Sequence, residues 1–140
     1  MMLNTYLTYD GNAREAFDFY KSVFGGEYMA FMTYADGPDD MQVADEYKDK
    51  VMHVSLPIGE SVLMASDHVP GFGPPLTSGN NFSISIAGQS REHCDDLFAK
   101  LSEGGEVKMP MQDTFWGAYF GMWTDRFGIN WMINYDLPQG

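Results

Sequence analysis

Few side chains in this sequence are of a type that does chemistry. Three histidines, His53, His68 and His93, and a single cysteine, Cys94, stand among 20 carboxylates. Histidine is the usual proton-transfer residue near neutral pH, because its unperturbed pKa is about 6.5. His53 sits inside VMHVSL, where strand alternation puts it on one face with Val51, Ser55 and Pro57, opposite Met52, Val54 and Leu56. A lone histidine on a strand is more often a hydrogen-bonded structural residue than a catalyst, yet His53 is the best base candidate here. Asp67 beside His68 is the runner-up. Neighbours in an extended chain point apart, so adjacency alone does not make these two partners. His93 reads as an exposed helical residue. Cys94 falls on the apolar stripe of the same helix and reads as a small core residue, not a nucleophile.

The acidic stretch ADGPDDMQVADEYKDK reads as a solvated connection, since the spacing of a calcium loop is absent. The formal net charge is -12. That balance argues against nucleic acid and against an anionic membrane surface, both of which select clustered Lys and Arg. One cysteine makes no internal disulfide, so a reducing cytoplasm is the simple expectation. The start MMLNTYLTYDG lacks the basic and apolar regions of a secretory signal, and no apolar run approaches the length of a membrane span. A length of 140 residues suits one domain with its own core.

The elements that must position these residues are written twice. DGNAREAFDFYKSVFGGEYM and AGQSREHCDDLFAKLSEGGEVKM share Gly, two residues, Arg-Glu, then Asp and a closing Gly-Gly-Glu. Gly11 answers Gly88, Arg14-Glu15 answers Arg91-Glu92, and Asp18 answers Asp95. Each copy predicts a helix. Asn12 with Glu15 has capping-box spacing, and Ser90 caps the second copy. Ala16, Phe17, Tyr20, Val23 and Phe24 make one apolar stripe; Cys94, Leu97, Phe98 and Leu101 make the other. A strand precedes each helix, over 3–9 and 81–87, and three strands follow it, the last two forming hairpins at Gly59 and Gly128. The expected chain is therefore a single α+β domain of two βαβββ modules, about 1–68 and 80–137. The Pro/Gly-rich segment 66–81 between them reads as a linker or lid.

This doubled unit resembles the vicinal oxygen chelate superfamily, which includes glyoxalase I, bleomycin-resistance proteins and extradiol dioxygenases. YDGNAREAFDFYKSVFGGE, DKVMHVSLPIGESVLMASD and FWGAYFGMWTDRFGINWMIN resemble its PhnB-like branch, a likeness running from Tyr6 to Asn134. Some members of that branch carry a demethylubiquinone methyltransferase label, but no Gly-rich nucleotide loop follows a first strand here. The resemblance implies two curved sheets forming a cup, often completed by a second chain. In metal-using members the cup holds a divalent cation on one ligand from the first and last strand of each module. Here those places offer Thr5, Leu63 or Met64, Asn81 or Phe82, and Met132 or Asn130. None is the carboxylate or imidazole that such a cation selects, so no metal and no other cofactor is expected.

Under the same resemblance Asn130, Met132 and Asn134 face the cup, with Thr5, Leu63 and Asn81 on the matching strands and Trp116 or Phe120 at the rim. Three readings follow. The cup binds a small organic molecule without metal, as a sequestering protein does. Alternatively, an enzyme of the superfamily transfers protons through His53 or Asp67. In the blandest reading the protein's own side chains fill the space. Apolar strands such as AFMTY need partners at their edges, so a homodimer is expected.

Overall fold

Alternating apolar residues build two four-stranded sheets, and one amphipathic helix lies on each. The structure is a computed structural model that describes residues 1–40 and 43–139, so Met41 and Gln42 of the acidic stretch fall outside it. The order is β1 (Tyr6–Tyr9), α1 (Ala13–Phe24), β2 (Ala30–Thr33), β3 (Val51–Ile58), β4 (Ser61–Asp67), β5 (Ile84–Ala87), α2 (Arg91–Ser102), β6 (Glu106–Asp113), β7 (Ala118–Thr124) and β8 (Asn130–Asp136). The chain divides into two compact units, Met1–Thr77 and the part from Ser78 on, with the boundary inside the Pro/Gly-rich segment. Strand order is β1-β4-β3-β2 in one sheet and β5-β8-β7-β6 in the other. In both, the first strand runs parallel to the last and the other pairs are antiparallel. The doubled α+β βαβββ reading holds.

Both first strands are shorter than alternation suggests. β1 starts at Tyr6, not Leu3, because the Asn4 side chain takes the N–H of Val62 in place of a ladder bond. β5 starts at Ile84, not Asn81, because the Asn130 amide bonds the carbonyls of Gly79 and Phe82. Gly59 adopts φ 58° at the first central position of the β3–β4 hairpin, where a two-residue loop asks for a left-handed residue.

In the first unit Ala13, Ala16, Phe17 and Tyr20 bury the stripe of α1 against Leu7, Tyr9, Val54, Leu56 and Leu63. Each large side chain so buried contributes about 1.5–3 kcal/mol. In the second unit Cys94, Leu97 and Leu101 form the buried stripe of α2. Trp123 stacks on Trp131 with ring centroids 6.3 Å apart, and Phe98 meets Trp123 edge-on at 5.2 Å. Cys94 lies so close to Gly88 that an added Cβ would collide with its sulfur.

The repeated Arg and Asp turn out to fasten each helix to its own sheet. Arg14 lies 4.7 Å above the Phe31 ring, and Tyr28 donates to Asp18 at 2.6 Å. Arg91 lies 4.8 Å above the Tyr119 ring, and Tyr119 donates to Asp95 at 2.6 Å. Arg91 also holds Asp113 through both guanidinium nitrogens, at 2.7 and 3.1 Å. The repeat therefore records packing rather than catalysis.

The helix caps differ. Ser90 accepts from the His93 N–H at 3.0 Å as expected, and His93 Nδ1 accepts from the Gln89 N–H at 3.1 Å. That back-bond leaves His93 half-buried, not exposed. Asn12 makes no side-chain cap. The N–H groups of Gly11 and Ala13 go instead to Asp67, from the far end of β4.

Candidate functional site

Residues paired across a sheet share a side, so the register sorts each strand into a helix-covered side and the side away from the helix. In the first sheet Leu7, Val54 and Ala65 align under α1. The side away from α1 carries Tyr6, Met64, Ser55 and Ala30 in one row, with Met32 paired to His53. A bulge at Met52 alters the alternation that places Val51 beside His53. Val51 is fully buried with Val54 and Leu56, while His53 stays half-exposed.

His53 meets a partner that alternation did not single out. The Tyr6 hydroxyl lies 3.2 Å from His53 Nδ1, and the two rings stack with centroids 5.7 Å apart at 28°. A phenol donating to Nδ1 leaves the proton of the neutral imidazole on Nε2. Tyr34, just past β2, reaches to the end of β4 and donates to the Asp67 carbonyl at 2.8 Å. Its phenol pKa is raised, first by burial and then by the nearby Asp67 and Tyr6. Phe72 lies beside it, with ring centroids 6.3 Å apart at 33°. The Pro/Gly-rich segment is thus anchored at its start, where Val69 is also buried.

Asp67 does not have the surroundings of a base. It is 2% exposed, and its side chain accepts from Gly11 at 3.1 Å, Ala13 at 2.9 Å and Val51 at 2.8 Å. Three backbone donors from three separate segments hold this buried side chain in place, which makes Asp67 a structural carboxylate. His68 is tied to Tyr9 by its backbone, with its N–H 2.7 Å from that carbonyl.

The proposed ligand-facing residues do not all gather. Leu63 is a correction: it pairs with Leu56 on the helix-covered side and is 5% exposed, and Met64 takes the opposite side. Thr5 precedes β1 in phase with buried Leu7 and Tyr9, so it too falls on the helix side. Asn81 is exposed and lies outside β5, where Ser85 holds the register place beside Met132. In the second unit the register puts three of them on one side. Asn130, Met132 and Asn134 share a side with Thr124, Met122 and Phe120, away from buried Trp123 and Trp131. Trp116, at the tip of the β6–β7 hairpin, packs edge-on against Phe120 at 5.6 Å. Both asparagines are already engaged: Asn130 accepts from Thr124 at 2.8 Å, and Asn134 donates to Asp136 at 2.9 Å.

The donor set does not suit a divalent cation. The sides away from the helices present Tyr6, Thr8, Met64 and Ser66 on the first and last strands of one sheet, and Ser85, Ala87, Met132 and Asn134 on those of the other. No carboxylate or imidazole is among them. Among the described residues no three His, Cys, Asp or Glu side chains converge. Among the described residues no helix is long and apolar enough to cross a membrane.

Known proteins agree with this architecture. The family model described as 3-demethylubiquinone-9 3-methyltransferase matches residues 2–134. Protein YjdN of Escherichia coli strain K12 is 32% identical over 142 residues, spanning 96% of this chain and 95% of that one. The crystal structure of protein PA1353 from Pseudomonas aeruginosa is similar at 42% identity and TM-score 0.87, covering 99% of each chain. A Bacillus cereus structure described as a putative 3-demethylubiquinone-9 3-methyltransferase, PhnB protein, has 23% identity and TM-score 0.77, covering 96% of this chain and 99% of its own. At that identity it speaks for the fold alone.

Proposed function

The chain belongs to the family described as 3-demethylubiquinone-9 3-methyltransferase, in the PhnB-like branch of the vicinal oxygen chelate superfamily, and on that premise we propose that it binds a small organic molecule without a divalent metal. The observation that carries this reading is the chemistry of the sheet sides away from the helices. On their first and last strands, where the superfamily draws metal ligands, they offer a ring, thioethers, hydroxyls and an amide, a lining that suits small organic ligands, and the His53 imidazole stands on a middle strand without a second imidazole or a carboxylate converging on it. A sequestering or resistance role follows. Methyl transfer, which the family description names, fits less well. No Gly-rich nucleotide loop follows the first strand, and the strand–helix turn is filled by the Asp67 carboxylate. Free Cys94 supports a reducing, cytoplasmic setting.

The contact between Tyr6 and His53 favours a second reading, proton transfer with His53 as base. One experiment separates the two. Candidate ligands are titrated into chelator-treated protein and into His53→Ala, with turnover followed in parallel. Saturable binding without turnover, retained in His53→Ala, supports the first reading. Turnover lost in a folded His53→Ala supports the second. Binding that appears only when a divalent metal is restored would refute the metal-independent account.

A further inference from the structure

Four aromatic side chains on the first unit are arranged in two near-parallel pairs, and neither pair has a role in the core under α1. Tyr6 stacks with His53 at 28°, and Tyr34 lies beside Phe72 at 33°. The pairs are neighbours through β2, because Met32 is paired with His53 and Tyr34 follows two residues further along the chain. Tyr34 is fixed by its bond to the Asp67 carbonyl, and Tyr6 by its contact with His53, so both rings are held in place before any ligand arrives. Tyr6 is 48% exposed, and so is 38% of Met32, which pairs with His53 and adds a polarizable thioether.

The charge around these rings points one way. Residues 1–77 hold twelve acidic side chains and only four basic ones, Arg14, Lys21, Lys48 and Lys50. All four basic groups are engaged elsewhere. Arg14 bonds the Asp49 carbonyl and covers Phe31, and Lys21 pairs with Glu27 and covers Tyr28. Lys48 pairs with Asp45, and Lys50 bonds the Gly11 carbonyl. Phe31 and Tyr28 of this unit therefore already carry a cation on their face, whereas among the described residues no Lys or Arg side chain covers either of the two pairs. Ring faces are electronegative, and a unit this acidic concentrates cations near its surface while repelling anions.

We propose that the first unit takes an organic cation of the substituted-ammonium class as its ligand, on the surface formed by Tyr6, His53, Tyr34 and Phe72 with Met32 beside them. This deepens the binding reading above and rests on it. The ammonium carbon shell lies against the rings, and no proton or electron is exchanged.

The test compares choline with its uncharged carbon isostere, dimethylbutanol, by nuclear magnetic resonance titration of the full chain. The expected result is at least about tenfold tighter binding of choline, with shifted signals at Tyr6, Tyr34 and Phe72. Tyr6→Leu and Phe72→Leu are expected to weaken it several-fold, while Trp116→Leu, in the other unit, leaves it unchanged. Preserved amide spectra establish that the variants fold, and Tyr6→Phe, which keeps the ring, retains most of the affinity. Equal binding of the two probes overturns the cation class while leaving small-molecule binding intact. Binding of neither probe, or choline binding indifferent to Tyr6→Leu and Phe72→Leu, also overturns the proposal.

Discussion

Asp67, the last residue of β4, accepts a 2.9 Å hydrogen bond from the backbone N–H of Ala13, the first residue of α1. The helix is thus capped by the sheet it covers. Two more N–H groups, from Gly11 and Val51, go to the same carboxylate. Asp67→Ala leaves three donors without their acceptor and is expected to cost about 3 kcal/mol or more, at roughly 1 kcal/mol or more per orphaned donor. Asp67→Asn loses less but still destabilises, since an amide nitrogen turns a donor toward a donor. Urea unfolding checks this; a variant of unchanged stability and lost activity would return Asp67 to the list of bases.

Gly88 and Cys94 should behave as a coupled pair. An added Cβ at Gly88 collides with the Cys94 sulfur and also approaches Ile133 and the Asn134 carbonyl at 3.5 Å. Gly88→Ala is expected to lose about 1–3 kcal/mol by overpacking, and Cys94→Ala in the same chain should recover part of it. Additive losses in thermal unfolding would contradict that contact. Burial also pushes the Cys94 thiol pKa up, with Asp95 adding to it. The native thiol should therefore react slowly with disulfide reagents at mildly alkaline pH and quickly once unfolded.

Tyr119 should titrate late. Its bond to Asp95 is the main reason its phenol is pushed up to about 12, with burial next. The neutral phenol is the donor, so this bond is present at lower pH and is lost as pH rises through that value. An ultraviolet titration should show a late-ionising tyrosine that disappears in Tyr119→Phe. Ionisation of all tyrosines at the ordinary phenol pKa of about 10 would contradict it.

Much of the fold was legible because it rests on short-range pattern. Phe17 and Tyr20 fall on one helical face, Trp131 and Ile133 on one strand face, and Ser90 sits at a cap, all as their spacing predicts. The site was less legible because it depends on phase. Leu63 and Met64 differ by one residue, and that single step separates the helix side from the other side. The bulge at Met52 removes Val51 from the His53 face, and no residue type announces it. Tyr6 was reachable, since alternation from buried Leu7 and Tyr9 puts it on the other side. Tyr34, Phe72 and the capping role of Asp67 were not, because each depends on contacts made by residues far apart in sequence.

The chain is expected to be a homodimer. β2 and β6 are both sheet edges, and they differ. β6 carries Glu106, Lys108 and Pro110 with two register shifts, the usual protections of an edge, while β2 is apolar and flanked by exposed Met29. Light scattering at micromolar concentration should give twice the chain mass; a monomer mass would count against a β2-edge partner.

Native mass spectrometry of the protein as purified, with elemental analysis of the same sample, tests the central claim most directly. The account predicts a retained small organic molecule that survives chelator treatment, and no near-stoichiometric transition metal. Near-stoichiometric zinc, nickel, manganese or iron, lost together with the bound molecule on chelation, would contradict it.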